Sequence, residues 1–119
     1  MRSRGEAVPG PLEFECLEAL WALGEGTVGD VQKQMRRGSA LAYTTVMTVL
    51  DRLTKKGSLT RRKAGRKFLY QASISPETVR SAAVRDVVNE FFGGSTGALL
   101  DYLESKGLPR PSMADVLSA

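Results

Sequence analysis

Residues 42–53 read Ala-Tyr-Thr-Thr-Val-Met-Thr-Val-Leu-Asp-Arg-Leu, and this segment is the most informative about the fold. Four of its apolar residues follow the i, i+3, i+4, i+7 spacing that gathers side chains on one face of a helix: Val46, Val49, Leu50 and Leu53. The Lys-Lys-Gly sequence of residues 55–57 supplies a cationic last turn and the glycine that typically ends a helix. The spacing therefore predicts a helix over 43–56, although its threonines and valines are poor helix formers.

Two further helices are predicted upstream. The first begins near Pro11 and ends at the glycines of residues 24–26, and its apolar face consists of Phe14, Leu17, Leu20 and Trp21. Its three glutamates are expected to remain in solvent: Glu13, Glu15 and Glu18. The second helix starts at Thr27, which precedes Asp30 by three residues in a variant of the capping box. The Arg-Arg-Gly sequence of residues 36–38 is expected to close it.

Beyond Gly57 the pattern changes to period two, which favours strands. Residues 59–62 and 67–71 flank a Lys-Ala-Gly-Arg sequence, so a β-hairpin over 59–71 with Gly65 in its turn is predicted. Three helices followed by a hairpin form the plan of a winged helix-turn-helix. In that plan the helix after the turn enters the major groove of DNA and the hairpin lies on the backbone.

Two more helices are predicted over 76–92 and 95–106, separated by the glycines of residues 93–94, with a further turn after Ser112. These helices carry more apolar residues than they can bury against each other. The candidate dimer-interface residues are Val84, Val87, Val88, Phe91, Phe92, Leu99, Leu100, Tyr102 and Leu103. An isologous dimer is the commonest way to cover such a surface. The alternative is that they pack back onto the winged helix.

The positive charge is concentrated in the first part of the chain. Lys and Arg number 17 against 13 Asp and Glu, for a net charge of +4, but residues 1–72 carry +6 and residues 73–119 carry −2. Positions 52–67 hold eight basic residues and no acidic one. Such a stripe is the footprint expected for phosphate contacts. The alternative is a solvated basic face, which is the commonest role of a charge run.

Base contacts are expected from the N-terminal part of the recognition helix, and phosphate contacts from its end and from the wing. The candidates for base reading are Thr44, Thr45, Thr48 and Arg52. The candidates for phosphate binding are Tyr43, Lys55, Arg61, Arg66 and Lys67. For one threonine, with Thr45 the first choice, the alternative is a hydroxyl bonded back to the preceding turn. Tyr43 alternatively fixes the turn, and Arg52 alternatively pairs with a surface carboxylate.

The core is predicted from the apolar residues of the first three helices and the hairpin. These are Phe14, Leu17, Trp21, Val31, Val46, Leu50, Leu53, Leu59 and Phe68. Cys16 lies in an amphipathic pattern and is interpreted as a packed free thiol in a reducing compartment, with a redox role as the alternative.

The composition excludes several function classes. With no His and one Cys, the chain cannot form a zinc site of three or four nitrogen or sulfur ligands, nor a triad that needs His. We therefore expect no metal, no cofactor and no enzymatic activity. No apolar run approaches the roughly 18–20 residues that span a bilayer, and no signal-peptide core is present, so a cytoplasmic protein is expected.

The alternative function is a winged helix that binds proteins without specific DNA binding, because fold alone does not fix function. Such a module would need an apolar patch where the basic stripe lies. The sequence predicts none there.

Several segments resemble the penicillinase-repressor (BlaI/MecI/CopY) family of bacterial winged-helix transcriptional regulators. The similarity covers about residues 12–104 and is carried by 12–21, 28–31, 42–53, 56–57 and 65–70. The run from 42 to 53 is the most specific of these. The resemblance implies a homodimeric transcriptional repressor on a palindromic operator, with its recognition helix at 43–56 and its wing at 59–71.

The predicted fold class is mostly α with a small β-hairpin: a winged helix-turn-helix domain followed by a helical dimerisation region. The predicted division is a flexible N-terminal arm over 1–10, the DNA-binding domain over 11–73 and the dimerisation region over 74–119. The resemblance also implies regulation, because β-lactam-responsive members are inactivated when a membrane sensor system triggers cleavage in the dimerisation region. A protease of such a system is thus an implied partner beside the DNA operator and a second copy of the chain. Copper-responsive members carry a C-terminal cysteine cluster, which this sequence lacks.

Overall fold

The computed structural model describes residues 8–106, and these contain the predicted order of helices and hairpin. The elements are α1 (Pro11–Leu23), α2 (Val28–Gln34), a short 3₁₀ helix (Gly38–Ala40), α3 (Tyr43–Lys55), β1 (Leu59–Ala64), β2 (Lys67–Ala72), α4 (Pro76–Phe91) and α5 (Thr96–Ser105). The chain divides into two compact units, one up to Ala83 and one from Val84. The predicted turn after Ser112 lies outside the described residues.

Local capping fixes where the helices begin, as the sequence predicted. The hydroxyl of Thr27 accepts the N–H of Asp30 at 3.1 Å, and the carboxylate of Asp30 accepts the N–H of Thr27 at 3.0 Å. In the same way the hydroxyl of Ser75 accepts the N–H of Thr78 at the start of α4. These bonds satisfy N–H groups that have no partner within the helix, so the capping-box prediction is confirmed.

The second helix ends at Gln34, earlier than the arginines that were expected to close it. These arginines instead bind glutamates of α1: Arg36 donates to Glu18 and Arg37 to Glu15, each at 2.8 Å. The hydrogen bond from Arg37 holds the pKa of Glu15 below its usual value. The two pairs tie the end of the second helix to the first.

The expectation that all three glutamates of α1 remain in solvent is wrong for Glu13, which is only 6% exposed, and for Glu15, whose side chain is 11% exposed. The Nζ atom of Lys56 lies 3.0 Å from one oxygen of Glu13 and 3.2 Å from the other, and Gly10 donates its N–H at 3.0 Å. Burial alone would raise the pKa of Glu13, but the Gly10 and Lys56 contacts outweigh it, and the pKa lies below its usual value. Periodicity could not reveal this pair, because its partners are 43 residues apart.

The core of the first unit joins the apolar faces of α1, α2 and α3 to the hairpin. Its largest fully buried side chains are Leu17, Leu20, Leu50, Leu53, Leu59, Val31, Val46 and Cys16. Phe14 and Trp21 pack against its edge as an edge-to-face pair with ring centroids 5.8 Å apart. Trp21 also donates its indole N–H to the carbonyl of Ile74 at 2.9 Å, which ties α1 to the segment after the hairpin.

The hairpin corrects one predicted core residue. Phe68 is 38% exposed, whereas Tyr70, two residues further along the same strand, is 2% exposed. Tyr70 lies where Gly26 adds a third strand-like bridge, with N–H to carbonyl distances of 2.8 and 3.0 Å. Phe68 lies one step nearer the turn, opposite Lys63, on the same face of the strand. Alternation gives the face of a strand, but not how far the core extends along it.

The turn before α3 depends on a glycine. A Cβ atom on Gly38 would lie 1.6 Å from the carbonyl oxygen of Gln32, so only glycine fits there. The Gln32 side chain then donates to the carbonyls of Gly38 and Leu41, at 3.3 and 2.7 Å. These contacts set the path by which the chain enters α3.

In the second unit, α4 ends at a glycine pair with positive φ, Gly93 and Gly94, and the Ser95 hydroxyl caps α5 by accepting the N–H of Ala98. Phe92 and Tyr102 are in ring contact, with centroids 5.6 Å apart. Five of the candidate interface residues are exposed large hydrophobics: Val84, Phe91, Leu100, Tyr102 and Leu103. Val88, by contrast, is buried within the single chain.

Candidate nucleic-acid interface

The exposed face of α3 is the centre of the candidate interface. The apolar face of the helix is buried through Val46, Val49, Leu50 and Leu53. Burial of that face leaves the first turns of the other face in solvent, where the exposed residues are Tyr43, Thr44, Thr45, Met47 and Thr48. The helix thus presents hydroxyl and apolar side chains in the place where a recognition helix meets base edges.

The four candidates for base reading come together. Thr44, Thr45, Thr48 and Arg52 line one shallow groove of about 320 Å³, together with Leu12 and Val49. The exposed guanidinium of Arg52 makes no ion pair within residues 8–106. Its charge nevertheless lies close enough to contribute to the lowered pKa of Glu13, after burial, Gly10 and Lys56.

The threonine that bonds back to the preceding turn is Thr48, not Thr45. Its hydroxyl donates to the carbonyl of Thr44 at 2.8 Å. Within the described chain, the hydroxyls of Thr44 and Thr45 make no hydrogen bond. These two can therefore both donate and accept, whereas Thr48 has its proton committed and is left with lone pairs and a methyl group.

Two of the predicted phosphate-binding cations share one carboxylate. Lys55 lies 3.3 Å and Arg61 lies 3.5 Å from the oxygens of Asp51 on α3. Arg61 also lies over the ring of Phe68, at 4.2 Å from the centroid. These contacts orient the two cations towards the edge between helix and hairpin, although pairs this exposed contribute little to stability.

The cations of the hairpin fall into two groups. Arg62 donates two hydrogen bonds to Glu25, at 2.9 and 3.0 Å, and the side-chain hydrogen bond lowers the pKa of that carboxyl. Lys63, Arg66 and Lys67 are exposed and form no ion pair with any described residue. The charge of Lys67 does lie close enough to help lower the pKa of Asp30. The tip of the hairpin therefore carries exposed cations outside any ion pair of the described chain, as a wing on the DNA backbone requires.

A second groove, which the sequence did not predict, lies on the wing side of α3. Its volume is about 230 Å³, and its lining includes Tyr43, Met47 and Phe68 together with Arg66 and Lys67. The expectation that the basic surface contains no apolar patch is therefore wrong. The i, i+4 spacing of Tyr43 and Met47 was available as a signal, but the nearness of Phe68 depends on how the hairpin folds.

The described part of the chain was compared with the requirements of a metal site, a reactive thiol and a membrane span. No three His, Cys, Asp or Glu side chains within residues 8–106 are grouped to hold a metal ion. Burial raises the pKa of the Cys16 thiol to about 12, so this thiol is held protonated in the core. None of the described helices combines the length and apolar character that a membrane span needs.

Comparison of the sequence with known proteins gives a consistent result. The family model described as penicillinase repressor matches residues 9–112. The penicillinase repressor of Bacillus licheniformis is 29% identical over 97 residues, which are 81% of this chain and 76% of that protein. The methicillin resistance regulatory protein MecI of Staphylococcus aureus (strain N315) is 19% identical over 105 residues, 87% of this chain and 85% of that protein.

Among solved structures, the DNA binding domain of the repressor BlaI is similar in fold as well as in sequence. It matches with a TM-score of 0.54 and 28% identity, covering 66% of this chain and 93% of that chain. The winged-helix architecture predicted from the order of elements is thereby confirmed.

Proposed function

The chain belongs to the penicillinase repressor family, and we propose that it is a sequence-specific DNA-binding transcriptional repressor in which α3 enters the major groove and the hairpin contacts the backbone. The observation that carries the proposal is that α3 exposes threonines along one edge, while basic residues of the hairpin line the groove at its other edge. Thr44 and Thr45 offer free hydroxyls at the start of α3, and Arg66 and Lys67 offer exposed positive charge at the hairpin.

Each part of this surface has a distinct task in the proposal. The hydroxyls and methyl groups at the start of α3 contact base edges, and Arg52 is placed to reach a guanine or a phosphate from the same groove. The cations of the hairpin neutralise phosphates, which supplies affinity without sequence information. Tyr43, 52% exposed at the first turn of α3, is assigned to a phosphate as well.

A binding measurement tests the proposal. A preferred duplex is selected from a random pool, and the protein is titrated against it and against a scrambled duplex at several salt concentrations. The selected duplex is expected to bind at least about 10³-fold more tightly, and log affinity to fall linearly with log salt for both. Equal binding of the two duplexes without a salt dependence would contradict the proposal.

The second part of the proposal is a homodimer on a palindromic operator. Phe91 and Leu100, 66% and 55% exposed, are the most exposed apolar members of the candidate interface. Exposed apolar patches of this kind mark interaction surfaces. A C₂ dimer pairs the surface with its own copy and presents two copies of α3 to two half-sites. Val88 adds little to this interface, because its side chain is already buried in the single chain.

Sedimentation equilibrium tests the dimer. Leu100→Asp is expected to shift the protein towards monomer and to weaken binding to a palindromic duplex, while leaving half-site binding unchanged. Tyr43→Asp introduces the same charge at an apolar residue of similar exposure in the first unit, and this control is expected to remain dimeric. Equal association constants for the two variants would exclude the assigned interface.

The third part is release of DNA by proteolysis in residues 74–119 through a protease of a sensor system. A cut there would detach apolar residues such as Leu100 from the winged helix and leave two separate half-site binders. A specific protease site placed at residues 93–94 allows the cut to be made after folding. The palindromic duplex is then expected to be released at a protein concentration at which the intact chain holds it, and unchanged binding would contradict this part.

A further inference from the structure

The groove on the wing side of α3 contains two apolar residues to which the proposed function gives no task, Met47 and Phe68. Three exposed large hydrophobics line it: Tyr43 and Met47 from α3, and Phe68 from β2. They are an unusual feature in a surface that is otherwise basic and hydroxyl-rich. Exposed apolar side chains that share one concave site are typical of a binding surface.

Two observations set this groove apart from the core beneath it. Tyr43 and Met47 are four residues apart on α3 and therefore lie on one edge of the helix, facing the hairpin. The opposite edge, with Thr45 and Arg52, lines the other groove. Met47 is 42% exposed although Leu50, three residues later on the same helix, is fully buried, so the Met47 side chain is available for contact from outside.

The charge around the groove selects the occupant. Arg66 and Lys67 contribute to its lining, and neither forms an ion pair with a described residue. An apolar protein partner would have to bury both cations without compensation, which is costly. A polyanion that also presents apolar groups fits both properties of the lining. Double-stranded DNA does so, because phosphates border a major groove in which thymine exposes its C5 methyl group.

We propose that Met47 reads thymine by packing its thioether side chain against the C5 methyl group of a base that enters this groove. The inference rests on the proposed function and makes it more specific, since it adds an apolar reader to the threonines and names the base. Methionine suits this contact because its unbranched, polarisable side chain adapts to an irregular surface. The ring of Tyr43, whose hydroxyl is assigned to a phosphate, forms the apolar walls together with Phe68, and Arg66 and Lys67 hold the adjacent phosphates.

Replacing thymine by deoxyuridine tests the contact, because it removes the methyl group and keeps the base pair. Each thymine of the selected duplex is replaced in turn, and affinity is measured for the wild type and for Met47→Ala. Burial of one methyl group corresponds to roughly a three- to fivefold gain in affinity. We expect the wild type to lose this factor at one position in each half-site, and Met47→Ala to bind the thymine and uracil duplexes equally there.

Two control variants complete the experiment. Met47→Leu keeps an apolar side chain and is expected to retain the preference for thymine. Leu23→Ala removes a similarly exposed apolar residue at the end of α1, outside the groove, and is expected to discriminate as the wild type does. A wild type that prefers the selected duplex but tolerates uracil everywhere would overturn this inference alone. Uracil sensitivity that persists at the same position in Met47→Ala would overturn it too. No preference for the selected duplex would overturn the proposed function and the inference with it.

Discussion

The ammonium group of Lys56 lies 3.0 Å from a carboxylate oxygen of Glu13 and so joins the end of α3 to the first turn of α1. The carboxylate is almost fully buried, whereas the lysine side chain is 36% exposed. The pair also connects the core with the candidate interface, because the positive charge of Arg52 lies close enough to Glu13 to help lower the pKa of its carboxyl group.

The first prediction concerns acid stability. Glu13, Glu15, Glu25 and Asp30 all have a pKa lowered in the folded protein, so their contribution to stability is present above the unfolded pKa and is lost as pH falls through the folded one. The free energy of unfolding is therefore expected to decrease as the pH is lowered below about 4.5. Glu13→Gln is expected to cost roughly 1–2 kcal/mol at pH 7 and to have a shallower acid dependence. Urea denaturation at pH 7 and pH 3 measures both, with Glu104→Gln, an exposed carboxylate of α5, as the control. An unchanged pH dependence in Glu13→Gln would contradict the assignment.

The second prediction concerns the turn before α3. Gly38→Ala is expected to destabilise the protein by roughly 1–3 kcal/mol or more, because its Cβ would collide with the backbone of Gln32. The matched control is Gly97→Ala in α5, where the nearest atom to a Cβ is 3.7 Å away and alanine favours the helix. Thermal denaturation of the two variants should show opposite shifts. A tolerated alanine at 38 would mean that the turn has more room than the structure gives it.

The third prediction concerns Asp51, the carboxylate shared by Lys55 and Arg61. Asp51→Asn removes the one negative charge on the exposed face of α3 and releases both cations. Affinity for scrambled DNA is expected to rise several-fold. The slope of log affinity against log salt is expected to become steeper by about one, the value for one added phosphate contact. The ratio of the affinity for the selected duplex to the affinity for the scrambled duplex should decrease. Asp101→Asn, an exposed carboxylate in the second unit, is the control, and equal behaviour of the two variants would show that net charge alone matters.

The fourth prediction separates the wing from the helix. Arg66→Ala is expected to reduce the affinity for the selected and the scrambled duplex by the same factor, since a phosphate contact carries no sequence information. The slope of log affinity against log salt is expected to become shallower by about one. Thr45→Ala removes a free hydroxyl and is expected to reduce mainly the affinity for the selected duplex. Titrations of both duplexes distinguish these outcomes, with Arg80→Ala as the control for an exposed arginine outside the hairpin. If Arg66→Ala lost affinity for the selected duplex alone, Arg66 would have to contact a base and not the DNA backbone.

Much of the candidate site was predictable because its residues are neighbours in sequence. Thr44, Thr45, Thr48 and Arg52 share one groove because they lie on the same helical face, which spacing alone specifies. Spacing could not say which hydroxyl is committed: Thr48, and not Thr45, bonds to the carbonyl of the preceding turn. The choice depends on rotamers that the surroundings of α3 select.

The kind and order of the elements, the buried face of α3, the turn at Gly65 and the family could all be inferred from the sequence. All of these follow from periodicity, capping and a specific run of residues, which act over a few positions. The tertiary structure decided which charges are neutralised and which apolar residues remain in solvent. Glu13 meets Lys56 across 43 residues and Arg62 meets Glu25 across 37, while Phe68 extends beyond the core that covers Tyr70. Electrostatic pairing and burial depend on distance in space, and packing alone brings such distant residues together.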